Sequence, residues 1–294
     1  MTYEQIDDPA TIEGSGQTGV VVGVDGSRGS RVALEWALET DERLGQVHPV
    51  TAWSLPWWSA GGAGASRSSM NAARVGVEKL VGEVMCDFDS SRLAEPVIDY
   101  GGAPMVLGEA VRGRALLVVG TRGYGTVLDT ILGSVAVACS LRAVRPLAVV
   151  PDLSKRSGPC VVGVDGSANA RAALIFAMRH APRSSDIIAV NAFGRPNHGV
   201  DLPASDRRDL GARSVELLEN VASAAAAAVP GAPRPAMRSV FGDARTVLEG
   251  ESGAAAMVVV GSRGDGGLRQ VVLGSVATAL VHQPACPTVI VPVG

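Results

Sequence analysis

Lysine is almost absent from this chain of 294 residues: Lys79 and Lys155 are the only two, so nearly all positive charge is arginine. Schiff-base and lysine–phosphate chemistry therefore have few candidates. No Gly-Lys-Ser or Gly-Lys-Thr occurs, which excludes a Walker A phosphate loop. Aromatic residues make up only 4%, so the cores must be built from Val, Leu, Ala and Ile. Such a composition favours parallel sheets covered by helices, whose strands read as aliphatic runs. Cys86, Cys139, Cys160 and Cys286 lie far apart, with no Cys-x-x-Cys, and are expected to be buried or incidental thiols in a reducing cytosol. His48, His180, His198 and His282 show no metal spacing. No Ser/His/Asp or Cys/His arrangement is legible. No run approaches the ~18 apolar residues that span a bilayer, and the N-terminus carries Asp7 and Asp8 rather than a signal-peptide core. A net charge of −3 gives no electrostatic reason to bind nucleic acid or an acidic membrane. A soluble, cytoplasmic protein is expected.

What the chain does contain is itself, twice. Val21-Val-Gly-Val-Asp-Gly-Ser27 recurs unchanged as Val161-Val-Gly-Val-Asp-Gly-Ser167, at an offset of 140. Leu132-Gly-Ser-Val-Ala136 recurs as Leu273-Gly-Ser-Val-Ala277, at an offset of 141. One inserted residue between the blocks explains the change. The period is that of a whole domain rather than a solenoid repeat. The domains are expected at residues 18–151 and 159–294, joined by a polar linker at 152–158 and preceded by a mobile tail at 1–17.

Each half follows one order of elements. An aliphatic strand (from Gly19; from Cys160) leads to a helix near Arg28 or Ala168. A second strand ends near Trp53 or Phe193. A variable loop and a long helix follow, at about Asn71 to Cys86 and Ala212 to Ala227. A third strand, a short helix from Pro104 or Ala244, a fourth strand, a glycine loop, a last helix and a final strand complete each half. Strands alternating with helices predict an α/β fold: two tandem domains, each a five-stranded parallel sheet with helices on both faces. Ligands of such sheets bind beyond the carboxyl ends of the strands, where the strand order switches.

Gly120-Thr-Arg-Gly123 follows the fourth strand and is separated by nine residues from Gly133-Ser134; Gly261-Ser-Arg-Gly264 stands in the same relation to Gly274-Ser275. Glycines there permit positive φ and close approach of a phosphate. The Gly-Ser opens a helix, whose free N–H groups and dipole attract anions. The bland alternative is a tight turn followed by an ordinary helix cap; the full spacing, present twice after a strand, favours the phosphate site.

The Gly-x2-Gly-x9-Gly-Ser spacing and the opening Val-Gly-Val-Asp-Gly-Ser resemble the universal stress protein family, in its tandem-domain form. The resemblance covers both halves. It implies a fold related to adenine-nucleotide α-hydrolase-like domains and the ATP-binding subclass, with Mg²⁺ accompanying the nucleotide. By that resemblance, Gly23 and Asp25, with Gly163 and Asp165, line the pocket. Backbone at Ala52 and Ala192 meets the adenine. The loops Gly120, Thr121, Arg122, Gly123, Tyr124, Gly125, Thr126 and Gly261, Ser262, Arg263, Gly264, Asp265, Gly266, Gly267 wrap ribose and phosphates. Gly133, Ser134 and Val135, with Gly274, Ser275 and Val276, complete the phosphate site. It also implies a homodimer; a regulatory protein partner belongs to the regulator reading below.

Several alternatives stay open at this level. Asp25 and Asp165 have two roles: binding nucleotide or Mg²⁺, or closing an Asx-turn into the first helix. Tyr124 of the first loop is matched by Asp265 of the second, and an acid beside phosphates repels them unless Mg²⁺ intervenes. The first site is therefore expected to be the more dependable. Trp53, Trp57 and Trp58 form either a partner patch or a lid folded onto its own domain. For function, an ATP-binding stress regulator with little catalysis stands against a slow ATPase or nucleotide-dependent transferase, and against a structural dimerisation module.

Overall fold

In a computed structural model of the chain, the described residues are 18–40, 42–54, 67–88, 90–121, 133–152, 157–182, 184–194, 203–264 and 273–292. They repeat one order of elements in the two halves of the chain, called the first and second unit below. The tail and most of the linker, with Arg122 to Thr126, Asp265 to Gly267, Trp57 and Trp58, lie outside the described residues.

The first unit runs β1 (Val20–Gly23), α1 (Arg28–Glu39), β2 (Val47–Trp53), α2 (Arg67–Met85), β3 (Val97–Tyr100), α3 (Ala103–Ala110), β4 (Leu116–Gly120), α4 (Ser134–Leu141) and β5 (Leu147–Val150). The second repeats it: β6 (Cys160–Gly163), α5 (Ala168–His180), β7 (Ile187–Phe193), α6 (Ala204–Ala228), β8 (Ala236–Phe241), α7 (Ala244–Ser252), β9 (Met257–Gly261), α8 (Ser275–His282) and β10 (Thr288–Val291). Strand order is β3-β2-β1-β4-β5 in one unit and β8-β7-β6-β9-β10 in the other. The β1–β2, β1–β4 and β2–β3 pairs are parallel, as are β6–β7, β6–β9, β7–β8 and β9–β10. This is the α/β fold expected from the sequence.

The order reverses beside β1 and beside β6. Right-handed crossovers then put the first two helices of a unit on one face and the last two on the other. The contacts of the second unit agree: α5 packs on α6, and α7 on α8. With both faces covered, the central strands have no polar side to show. Val20, Val21 and Val22 are buried, as are Leu116 to Val119 and their counterparts Val161, Val162 and Met257 to Val260. Each such side chain contributes about 1.5–3 kcal/mol by leaving water.

Helix α1 shows why these segments are helical where they are. Ala33, Leu34 and Ala37 share its buried face, and the Ser27 side chain caps its start. Its end is closed from a distance: the Arg92 guanidinium donates to the carbonyls of Leu38, Thr40 and Gly45 at 2.8–3.2 Å. Helix α6 begins eight residues before the position the sequence suggests. Its first turns, from Ala204 to Asp209, are exposed all round, so no apolar stripe marks them. Cys160 and Cys286 are buried and free, and burial pushes both thiols up to about 12, which leaves them protonated; Cys139 is also buried and Cys86 is exposed. Among the described residues, no helix is long and apolar enough to cross a membrane.

Candidate functional site

Of the helices that begin at the carboxyl end of each sheet, the first and the last begin differently. The Asp-Gly-Ser after β1 or β6 is a turn that closes on itself. Asp25 Oδ1 accepts the Ser27 N–H at 3.0 Å, and Asp165 Oδ1 accepts the Ser167 N–H at 3.0 Å. Gly26 and Gly166 stand at φ +82° and +89°, a region closed to most side chains. The hydroxyl oxygens of Ser27 and Ser167 then accept from the N–H groups of Ser30 and Ala170, at 3.2 and 3.1 Å. The Asx-turn role of the two aspartates is thus present in both units, and α1 and α5 are capped by their own side chains.

Helices α4 and α8 start open. The Thr121 carbonyl accepts from Gly133 N–H at 2.7 Å, and the Ser262 carbonyl from Gly274 N–H at 2.8 Å. The first intrahelical bonds are Val137 N–H to Gly133 and Thr278 N–H to Gly274. That leaves the N–H groups of Ser134, Val135 and Ala136, and of Ser275, Val276 and Ala277, without an intrahelical acceptor. The residue before each helix is glycine and has no side chain to cover them. The aligned peptide dipoles add partial positive charge at that end.

Between the closed start and the open one lies a cleft at the switch in strand order. Its volume is about 200 Å³ in the first unit and about 350 Å³ in the second. In the first unit it is lined by Gly23, Asp25, Ala52, Gly120, Gly133, Ser134 and Val135, all singled out from sequence. In the second it is lined by Gly163, Asp165, Ala192, Gly261, Arg263, Gly264, Gly274, Ser275 and Val276. Thr121 and Ser262 are placed differently. Both are buried, do not line the clefts, and clasp the helix start to the sheet through their backbone.

The strand-four glycines also need a different explanation from positive φ. Neither Gly120 nor Gly261 adopts the left-handed backbone. A Cβ at Gly120 would lie 2.6 Å from the carbonyl carbon of Gly29, and one at Gly261 would lie 2.6 Å from Asn169 Cβ. The first turn of α1 or α5 presses on strand four, and only glycine fits between them. Gly264 is pressed in turn against the Asp165 carboxylate, which a side chain there would strike.

Sequence reasoning missed an apolar wall. Leu107 and Leu248 line the clefts, and a Cβ at Gly23 or Gly163 would come within 3.1 or 2.8 Å of them. Ala103 and Ala244 stand beside them. Both pairs recur at the offset of 141, so the internal repeat held the signal. It also missed Asn169, whose Nδ2 donates to the Arg263 carbonyl at 2.9 Å. Asn191, which lines the second cleft, was missed as well.

A family model described as the universal stress protein family matches residues 18–151 and 158–292. A universal stress protein of Mycobacterium tuberculosis is 32% identical over 298 residues, spanning 93% of this chain and 97% of the relative. A second from that organism is 28% identical over 310 residues, spanning 92% of this chain and 94% of the relative. A crystal structure of a universal stress protein from Archaeoglobus fulgidus covers 95% of this chain and 99% of its own, with a TM-score of 0.63 at 14% identity, a likeness of fold.

Proposed function

Because the chain belongs to the universal stress protein family, we propose that each half binds ATP in its cleft and that the protein is a cytoplasmic nucleotide-sensing regulator of stress response or growth, with little catalysis. The observation that carries this reading is the open helix start. Three consecutive N–H groups line each cleft, at Ser134 to Ala136 and at Ser275 to Ala277, beside a strand-end glycine, in a fold whose ligands bind at that switch. Such donors satisfy a polyphosphate without lysine. The apolar side, with Leu107 and Ala52 or Leu248 and Ala192, suits the adenine. One carboxylate per cleft, Asp25 or Asp165, suits a Mg²⁺ ion held mainly by phosphate oxygens and water. Bound ATP with Mg²⁺ would supply a charge to be read; the protein's part is to hold it and pass a change of shape to a protein partner. The remainder of each loop, Arg122 to Thr126 and Asp265 to Gly267, would close over ribose and phosphates. A homodimer belongs to the same proposal, and a monomer in light scattering at every concentration would remove it.

The test is to purify the protein from cells, release bound small molecules and identify them by mass spectrometry. ATP at up to two per chain, unhydrolysed after hours, is expected. Rapid appearance of ADP would replace the regulator with an ATPase, and no nucleotide at all would leave only a structural module.

A further inference from the structure

The second glycine loop is held by a side chain whose counterpart in the first half is a glycine. Asn169 lies in the first turn of α5, and its backbone and Cβ are the groups against which Gly261 packs. From there its Nδ2 reaches across to the carbonyl of Arg263 at 2.9 Å. Gly264, next in the chain, rests on the Asp165 carboxylate. Residues 263 and 264 are thus fixed from two sides, by the helix start and by the end of β6, and both line the cleft. At the offset of 140, the residue matching Asn169 is Gly29, which has no side chain to reach a loop carbonyl.

We propose that Asn169 is a positioning residue of the second cleft: its amide holds the glycine loop in the shape that receives a nucleotide, and so makes the second cleft the tighter of the two. The inference rests on the proposal that the clefts bind nucleotide. Its physical basis is pre-organisation. A loop already fixed gives up less freedom when the ligand arrives, so more of the contact energy appears as affinity. This opposes the order expected from Tyr124 and Asp265. The tether is a bond within the protein itself, whereas the repulsion expected of Asp265 needs a phosphate beside it and is relieved by Mg²⁺.

The test uses the full chain with the first cleft silenced by Ser134→Glu, which sets a carboxylate where phosphate would sit. In that background, Asn169→Ala and Asn169→Asp are titrated with Mg²⁺-ATP. Asp keeps the shape of Asn and removes the donor; Ala removes the shape as well. Both are expected to weaken binding about three- to tenfold, the worth of one hydrogen bond to a partly buried carbonyl. In a Ser275→Glu background, where only the first cleft is left, the same changes should do nothing. Hydrogen exchange of the peptide spanning Ser262 to Gly264, in nucleotide-free protein, should quicken in both variants while peptides from the core strands stay unchanged. Unchanged exchange in that peptide would overturn the tether. So would a loss of affinity in Asn169→Asp alone, which would mark a charge effect. Equal or weaker binding by the second cleft in the parent protein would overturn its being the tighter site. Quickened exchange without ATP binding to either cleft would support the tether and overturn the nucleotide reading.

Discussion

Strand β2 of the first half buries Thr51, and strand β7 of the second buries Asn191 at the matching place. Asn191 is engaged through both ends of its amide. Its Nδ2 donates to the Val164 carbonyl at 2.6 Å, its Oδ1 accepts from Ser214 Oγ at 2.7 Å, and Ser239 Oγ donates to Ser214 Oγ at 2.7 Å. Val164 is the residue just before the cleft's Asp165, so this chain of bonds fixes the floor of the second cleft from behind. Thr51 Oγ1 is buried and has no hydrogen-bond partner among the described residues. Its strand neighbour across the register is Ile98, whereas that of Asn191 is Ser239. With Gly29 against Asn169, this makes a pattern. The halves agree wherever backbone meets backbone, as at Gly120 and Gly261, at the Asp-Gly-Ser turns and at the open helix starts. They diverge in the polar side chains that brace those features. Among the described residues, one cleft carries the braces of Asn169 and Asn191, and the other has Gly29 and Thr51 in their places.

The shared part of that comparison gives the largest expected effect. Gly120→Ala and Gly261→Ala each push a methyl to 2.6 Å from the facing helix, where backbone cannot give way as a flexible side chain would. Each should cost about 2–3 kcal/mol by overpacking. All four tryptophans (Trp36, Trp53, Trp57 and Trp58) lie in the first half. Denaturant unfolding followed by tryptophan fluorescence therefore reports Gly120→Ala, and circular dichroism reports both variants. A cost under about 1 kcal/mol in either half would show that the helix can retreat, and the two halves would then not share this joint.

The divergent part predicts effects of opposite sign. Asn191→Thr, which makes the second half resemble the first, leaves the Val164 carbonyl and the Ser214 hydroxyl short of a partner. It should destabilise by about 1–3 kcal/mol. Thr51→Val removes a buried hydroxyl that has no partner among the described residues, in a side chain of nearly the same shape, and should stabilise by up to about 1 kcal/mol. Thermal melts of the two variants, read by circular dichroism, should move in opposite directions. If Thr51→Val destabilises, its hydroxyl has a role in the first half and the two clefts differ less in their bracing.

The same division explains what could be read in advance. The order of elements, both Asp-Gly-Ser turns and the Gly120 and Gly133-Ser134 pattern were legible as local patterns written twice, while the pocket places of Gly23, Asp25 and Ala52 came from the family resemblance. Leu107 and Leu248 were also written twice, but an isolated leucine in a short helix carries no mark of what it faces. Asn169 and Asn191 were not legible. Each acts across a gap in sequence, from 169 to 263 and from 191 to 214, and each stands where the other half has a different residue, so the repeat that revealed the scaffold hid the braces. The reason for Gly120 and Gly261 was misread for a related cause. Positive φ is a local property, whereas the approach of helix α1 or α5 is a tertiary one.

The smallest effect lies at the opposite end of the first sheet. His48 pairs with Val21 in register, and Ile188 pairs with Val161 at the same place in the second half. Arg114 Nη1 stands 2.8 Å from His48 Nε2, which makes the imidazole the acceptor and therefore neutral. Burial, and next the Arg114 charge, hold its pKa below the ordinary 6.5. In the unfolded chain the ring takes up a proton as pH falls through 6.5, while the folded ring resists until a lower pH. Over that window the unfolded state binds more protons, so stability falls with pH and is fully present only above the window. The first half should weaken between neutral and mildly acid pH through this residue, and the second half has no matching group. His48→Gln keeps an acceptor for Arg114 but cannot titrate. Its fluorescence-detected unfolding midpoint should vary less with pH than that of the parent in this window. An identical pH profile for the two proteins would place the acid sensitivity of the first half elsewhere.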